Sequence, residues 1–226
     1  MDNILNFPYT TIVNKPVPKN AFYGRSSDSS LREFLTHEFE GIVWLYKLAP
    51  STLNVEDGEH VHEIDVFFCK MKEDKYSIKP FYTMDGLLPR HTIFIIEYGE
   101  KIDLLMHHKE MSLVHGEQKW KCGVGELKRD VHIAPNTLNI QGQSMDVVYN
   151  GLLSQISGLS ASTNEEYKEQ VALRKQIENL QKQVTALQKR IKAEKQFNRQ
   201  MEFNTEVRQL RKEITLLTDK LNKNNI

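Results

Sequence analysis

Leu173-Arg174-Lys175-Gln176-Ile177-Glu178-Asn179-Leu180-Gln181-Lys182-Gln183-Val184-Thr185-Ala186-Leu187-Gln188-Lys189-Arg190-Ile191 decides the architecture of the C-terminal part of this chain. Leu173, Ile177, Leu180, Val184, Leu187 and Ile191 stand four, three, four, three and four apart, the apolar seam of a heptad repeat. The pattern lapses at Glu194 and Asn198 and resumes at Phe203, Val207, Leu210, Ile214, Leu217 and Leu221. Leu210 follows Leu187 by 23 residues, two more than three heptads, so the second seam is out of phase with the first. Either one helix carries a discontinuity in its seam, or the two apolar stretches face different partners. No Gly or Pro interrupts Lys189 to Leu221, which predicts one coiled-coil helix over 164–222 rather than a tight hairpin. Its length would be about 58 residues, roughly 87 Å. A lone helix cannot cover such a stripe, so a second copy of the chain is the first expected cover and a partner protein the second.

Between the seams lies Glu194-Lys195-Gln196-Phe197-Asn198-Arg199-Gln200-Met201-Glu202-Phe203-Asn204. It sets polar Asn198, Arg199 and Asn204 among Phe197, Met201 and Phe203. One reading is a polar layer that fixes helix register. A second is a surface that docks a partner, and a third is phosphate contact through Lys192, Lys195 and Arg199. Lys195, Phe197, Asn198, Arg199 and Asn204 are therefore the candidates for partner or phosphate contact.

Working outward, the formal charge of zero over 226 residues conceals a split. From Asn164 onward there are 14 Lys and Arg against 9 Asp and Glu, a net of +5, which leaves −5 for the residues before it. That tail holds no Gly, Pro, Trp or Cys, the composition of a long helix or coiled coil. All eleven Gly and seven Pro lie earlier, as in a folded domain over residues 1–160. Ser157-Gly158-Leu159-Ser160-Ala161-Ser162-Thr163 reads as a linker, with Thr163 or Asn164 able to cap the helix. Composition excludes collagen-like, disulfide-scaffold and wholly disordered chains. No apolar run approaches the roughly 18–20 residues of a membrane helix. The N-terminus lacks a basic and apolar signal segment, and the isolated Cys69 and Cys122 suit a reducing compartment. A cytoplasmic protein is the expectation.

Pro8, Pro16, Pro18 and Gly24 predict an extended N-terminal arm with little regular structure. Ser26-Ser27-Asp28-Ser29-Ser30 offers caps for a helix through Leu31, Phe34, Leu35 and Phe39. Strands are expected at Ile42–Leu48, His60–Met71, Thr92–Tyr98, Ile102–His108 and Lys119–Leu127, the last near an edge because of its two Gly. Further helices are expected at Tyr76–Leu88 and Ser144–Ile156. The fold class is α+β: a mostly antiparallel sheet of four or five strands with flanking helices.

Chemistry-bearing motifs are sparse. No P-loop, Gly-x-Gly-x-x-Gly, His-Glu-x-x-His or Cys-x-x-Cys occurs. His60 and His62 would share one face of a strand beside Glu59 or Glu63, where a metal could sit, but the pair is short and unsupported and a solvated strand end is the better reading. His107 and His108 would point to opposite faces. A metal-dependent nuclease would need converging carboxylates with a nearby lysine; Asp65 and Glu73-Asp74-Lys75 invite that test, yet the triplet reads as an ordinary polar turn. No catalytic residue, metal ligand or cofactor is assigned.

Val17-Pro18-Lys19, the run from Ile42-Val43-Trp44-Leu45-Tyr46-Lys47 to Val55, Thr92-Ile93-Phe94-Ile95-Ile96-Glu97-Tyr98-Gly99, Lys119-Trp120 and above all Glu194-Lys195-Gln196-Phe197-Asn198-Arg199 resemble a bacterial family known only as a domain of unknown function. Members of that family tend to be encoded beside DNA methyltransferases and superfamily-2 helicases in restriction or phage-defence loci. The resemblance thus implies an accessory or adaptor subunit of a DNA-processing or defence assembly, with a helicase or DNA methyltransferase as partner. It supplies no catalytic residues. A nucleic-acid-binding subunit using the basic tail is the alternative, and a cryptic nuclease around Asp65 a third.

Overall fold

The computed structural model describes residues 3–23, 29–114, 117–161 and 163–223. Gly24, the caps at Ser26-Ser27-Asp28 and Ser162 of the linker lie outside the described residues. The chain forms two compact units, Met1–Gly158 and Leu159–Ile226.

The first unit is built on a six-stranded sheet in sequence order: β1 (Ile12–Pro16), β2 (Phe39–Leu48), β3 (Ile64–Met71), β4 (His91–Tyr98), β5 (Lys101–Val114) and β6 (Glu117–Lys128). Neighbours pair antiparallel except β3 and β4, which run parallel. A parallel neighbour needs a crossover, and the connection carries α4 (Lys79–Leu87). The other helices of this unit are α1 (Asn20–Tyr23), α2 (Ser29–His37), α3 (Pro50–Leu53) and α5 (Met145–Ser157).

Two expectations are corrected here. The N-terminal arm is not featureless: Ile12 to Pro16 adds a strand to the edge of β2, which raises the count to six. Pro16 closes that edge strand, where a missing N–H leaves no ladder bond unmade, and Val17 donates to the Ile42 carbonyl just beyond it. The second expected strand also starts late, at Ile64, and leaves His60 and His62 in a loop. Asp146, in the first turn of α5, explains why. Its carboxylate accepts the backbone N–H groups of Glu59, His60 and Val61 at 2.7, 3.2 and 2.8 Å, so these donors go to a side chain instead of a ladder.

Alternation along β3 and β4 sorts the core. Phe67, Cys69 and Met71 share a face with Phe94, Ile96 and Leu105, and α2 and α4 cover it with Leu31, Phe34, Leu35, Phe81 and Met84. Phe81 sits within 5.3–5.8 Å, ring centroid to centroid, of Phe34, Phe39, Tyr76 and Phe94. Such edge-on and tilted pairs add to plain area burial. Gly99, at φ +56°, turns β4 into β5.

The second unit departs most from expectation. It is not one rod: α6 (Asn164–Ala193) and α7 (Phe197–Lys223) are separate helices of 30 and 27 residues. They pack together, with Val184, Leu187 and Val207 buried among Ile191, Phe203, Leu210 and Ile214. Lys220 bonds Glu169 at 2.8 Å. Glu169 lies 24 residues before the end of α6 and Lys220 23 after the start of α7, so the pair marks an antiparallel hairpin in register. Thr163 caps α6 by accepting the Glu166 N–H, as its position predicted.

Candidate interaction surface

Val184, Leu187, Ile191, Val207, Leu210 and Ile214 of the two seams meet inside the hairpin. Leu173, Ile177, Leu180, Val184, Leu187 and Val207 are buried, and Ile191, Leu210, Ile214, Leu217 and Leu221 are half-buried. The two apolar stretches cover each other, so the homodimer expected from an uncovered stripe loses its physical basis. The phase slip now has a cause. At about 100° per residue, the 23-residue step from Leu187 to Leu210 leaves the seams about 140° apart on a straight helix. Two straight rods lying side by side could not bury both. A hairpin can, because its turn resets the phase.

That turn, Glu194-Lys195-Gln196, contains neither Gly nor Pro, and side chains hold it. Glu194 is extended at φ −76°, ψ 133°. Its Oε1 accepts the backbone N–H groups of Lys195 at 2.8 Å and Gln196 at 3.0 Å. From the other side, Gln200 Nε2 donates to the Glu194 carbonyl at 2.6 Å and to the Ile191 carbonyl at 3.4 Å, meeting acceptors left over at the end of α6. Arg199 approaches the Glu194 carboxylate at 4.0 Å. The Gln196 N–H first, then the Lys195 N–H and Arg199, holds the Glu194 carboxyl below the usual carboxylate range.

Among the described residues, the large apolar side chains left in water on the hairpin are Leu216, alone at 69% exposed, and a pair at the outer surface of the turn. Phe197 is 72% exposed and Met201 51%, one turn apart on α7. Lys195, Asn198, Arg199 and Asn204 are exposed too. Phe203 instead faces inward, with the Arg190 guanidinium 6.0 Å from its ring centroid. Asn204 donates to the Gln200 carbonyl and is no interhelical polar layer. Of the five candidate contact residues, four therefore cluster at the hairpin tip, and Asn204 lies two turns along α7.

A second constellation, which the sequence did not disclose, lies inside the first unit. Asp85 of α4 and Lys109 of β5 are both buried, their side chains wholly. Lys109 Nζ donates to Asp85 Oδ1 at 2.9 Å and to the carbonyls of Asp85, Leu88 and Arg90 at 2.8, 2.9 and 2.5 Å. His107 Nδ1 shares a 2.9 Å hydrogen bond with Asp85 Oδ2. Gly125, opposite His107 on β6, makes the room: a Cβ there would stand 2.8 Å from His107 Cδ2. Beside this network the His91 ring packs on Tyr149 and Trp120. Burial, then the Lys109 charge, pushes His91 down to about 4. Burial, then Asp85, pushes the Cys122 thiol up to about 11. Lys109 meets four acceptors, three of them main-chain carbonyls at and just beyond the end of α4, so the network ties that helix to β5.

The remaining sequence candidates are engaged singly. Asp65 has its Oδ2 3.5 Å from Arg90 Nη1, while its buried Oδ1 has no hydrogen-bond partner. Burial, then the neighbouring Glu63, raises its carboxyl to about 6. Arg90 Nε also forms an ion pair with Glu63 Oε1 at 3.0 Å, without hydrogen-bond geometry. Glu73-Asp74-Lys75 lies in an irregular, bent stretch after β3. His62 bonds Asp57 at 2.9 Å, and His107 and His108 are both buried in β5. Among the described residues, no group of three or more His, Cys, Asp or Glu is placed to hold a metal ion, and no helix is long and apolar enough to cross a membrane.

No curated protein and no solved structure matches the chain. One family model does, over residues 5–214, which takes in the sheet unit and most of the hairpin. The chain belongs to that family, a domain of unknown function designated DUF4391.

Proposed function

We propose that this protein is a non-catalytic accessory subunit of a DNA-processing or phage-defence assembly in the bacterial cytoplasm, docking onto a helicase or DNA methyltransferase through the tip of its C-terminal hairpin. The observation that carries this is the exposed Phe197–Met201 pair. Large apolar side chains standing together on an otherwise charged surface mark contact sites. Folding does not ask for them there, because Glu194 and Gln200 hold the turn and Val184, Leu187 and Val207 fill the interior. Phe197 also falls inside the Glu194–Arg199 run that most specifically marks the resemblance, and Met201 follows two residues after it. The class of partner comes from that resemblance alone.

The test is affinity purification of the tagged full chain from its native host, beside F197S/M201S. Recovery of a helicase or methyltransferase with the parent chain, and its loss with the variant, is the expected result. Equal recovery with both removes the tip from the interface. Recovery of neither enzyme class with the parent removes the assembly.

A further inference from the structure

Resting on the docking role just proposed, we infer that the hairpin tip is received by an acidic protein surface with an apolar recess. Residues 189–201 carry Lys189, Arg190, Lys192, Lys195 and Arg199 against Glu194 alone, a net of +4. The one acid is already spent, since its carboxylate faces the Lys195 and Gln196 N–H groups and Arg199. The field at the tip is therefore positive, and its complement is a cluster of Asp and Glu. Phe197 and Met201 are spaced i and i+4, the spacing of anchors that a helix lays into an apolar groove, and the Met thioether adapts to irregular recesses.

Nucleic acid fits less well. Strand binding without sequence preference combines cations with aromatic faces on which bases stack, and only Phe197 of the exposed pair offers one. Glu202 and Glu206 follow at once on the exposed surface of α7. A phosphate backbone tracking the hairpin would run into them, whereas an acidic patch confined to the turn would not.

The test places the photo-crosslinking residue benzoylphenylalanine at position 197 of the full chain, irradiates it in the native host and sequences the cross-linked peptides. Cross-links are expected on one protein, at apolar residues flanked by Asp and Glu. They should survive nuclease digestion and be lost in K192E/K195E, whose helix content by circular dichroism stays that of the parent. Cross-links to a site without acids, or cross-links indifferent to K192E/K195E, overturn the inference while leaving the docking role standing. Absence of any cross-linked protein overturns both. Retardation of a labelled single- or double-stranded oligonucleotide by the parent chain, lost in K192E/K195E, assigns the tip to nucleic acid and overturns the inference as well.

Discussion

Lys109→Met is the sharpest test of what holds the sheet unit together. The ammonium meets four acceptors within 2.9 Å, all on α4 or the segment leading into β4. Methionine matches the length of the stem but donates nothing. The Asp85 carboxylate, wholly buried, would keep only His107, and three carbonyls would lose a donor. Removing one partner of a buried ion pair costs about 3–5 kcal/mol, since the other charge is left uncompensated. For a unit of this size each kcal/mol shifts Tm by roughly 2–4 °C, so a fall of about 6–20 °C is expected. Urea and thermal unfolding followed by Trp fluorescence read this unit alone, because Trp44 and Trp120 both lie in it. Adding Asp85→Asn removes the orphaned charge, so the double variant should be less destabilised than the sum of the singles by more than about 1 kcal/mol. A loss under about 1 kcal/mol for Lys109→Met, or additivity of the pair, would refute the network as the tie between α4 and β5.

Gly125→Ala should act at the same place without touching a charge: its methyl would press on the His107 ring, and an overpacking loss of about 1–3 kcal/mol is expected in urea unfolding. Asp65 has a folded-state value raised from 3.8 to about 6. The stability it contributes is therefore fully present below about pH 4 and lost as pH rises through about 6; the urea midpoint of the parent relative to Asp65→Asn should fall between pH 4 and 7.5, and an unchanged difference refutes it. Glu194 has a depressed value, so its contribution is present above the ordinary carboxylate range and disappears as pH falls below it. Glu194→Gln should remove that acid-side loss of helix signal. In sedimentation, the full chain should run as a single 26.3 kDa species, and Leu187→Asp should melt the hairpin without changing that mass; a dimer abolished by Leu187→Asp would restore the seam as a contact between copies.

The sheet was largely legible because its strands have the two properties that survive in a single sequence, β-branched or aromatic residues and short length. Ile93, Ile95 and Ile96 could hardly belong elsewhere, and all are fully buried. β1 escaped notice because Ile12-Val13-Asn14-Lys15-Pro16 has only two apolar residues and needs β2 as a template. The Asp85–Lys109 network was hidden for a different reason. Its members lie 24 residues apart on elements that meet only after folding, and a lone Lys in a strand is ordinarily a solvent-facing residue. The available hint was local: Lys109 and Glu110 follow His107-His108 directly after the apolar run Leu104-Leu105-Met106, in a strand paired on both sides, with β4 and β6.

The hairpin shows how a correct pattern led to a wrong connection. Absence of Gly and Pro between Lys189 and Leu221 does not keep the helix continuous, because α6 ends at Ala193 and α7 begins at Phe197. Glycine ends helices because it reaches the left-handed region cheaply; Glu194 has no need of that region, since it stops α6 in extended backbone and satisfies the next two N–H groups with its own carboxylate. The better discriminator was geometric. A seam displaced by about 140° cannot be buried by one straight neighbour, while two helices joined by three residues bury both displaced seams against each other. The uncovered ridge that seemed to require a second molecule is thus covered within the chain, and the need for a partner shifts from the length of the helix to its turn, where Phe197 and Met201 remain in water.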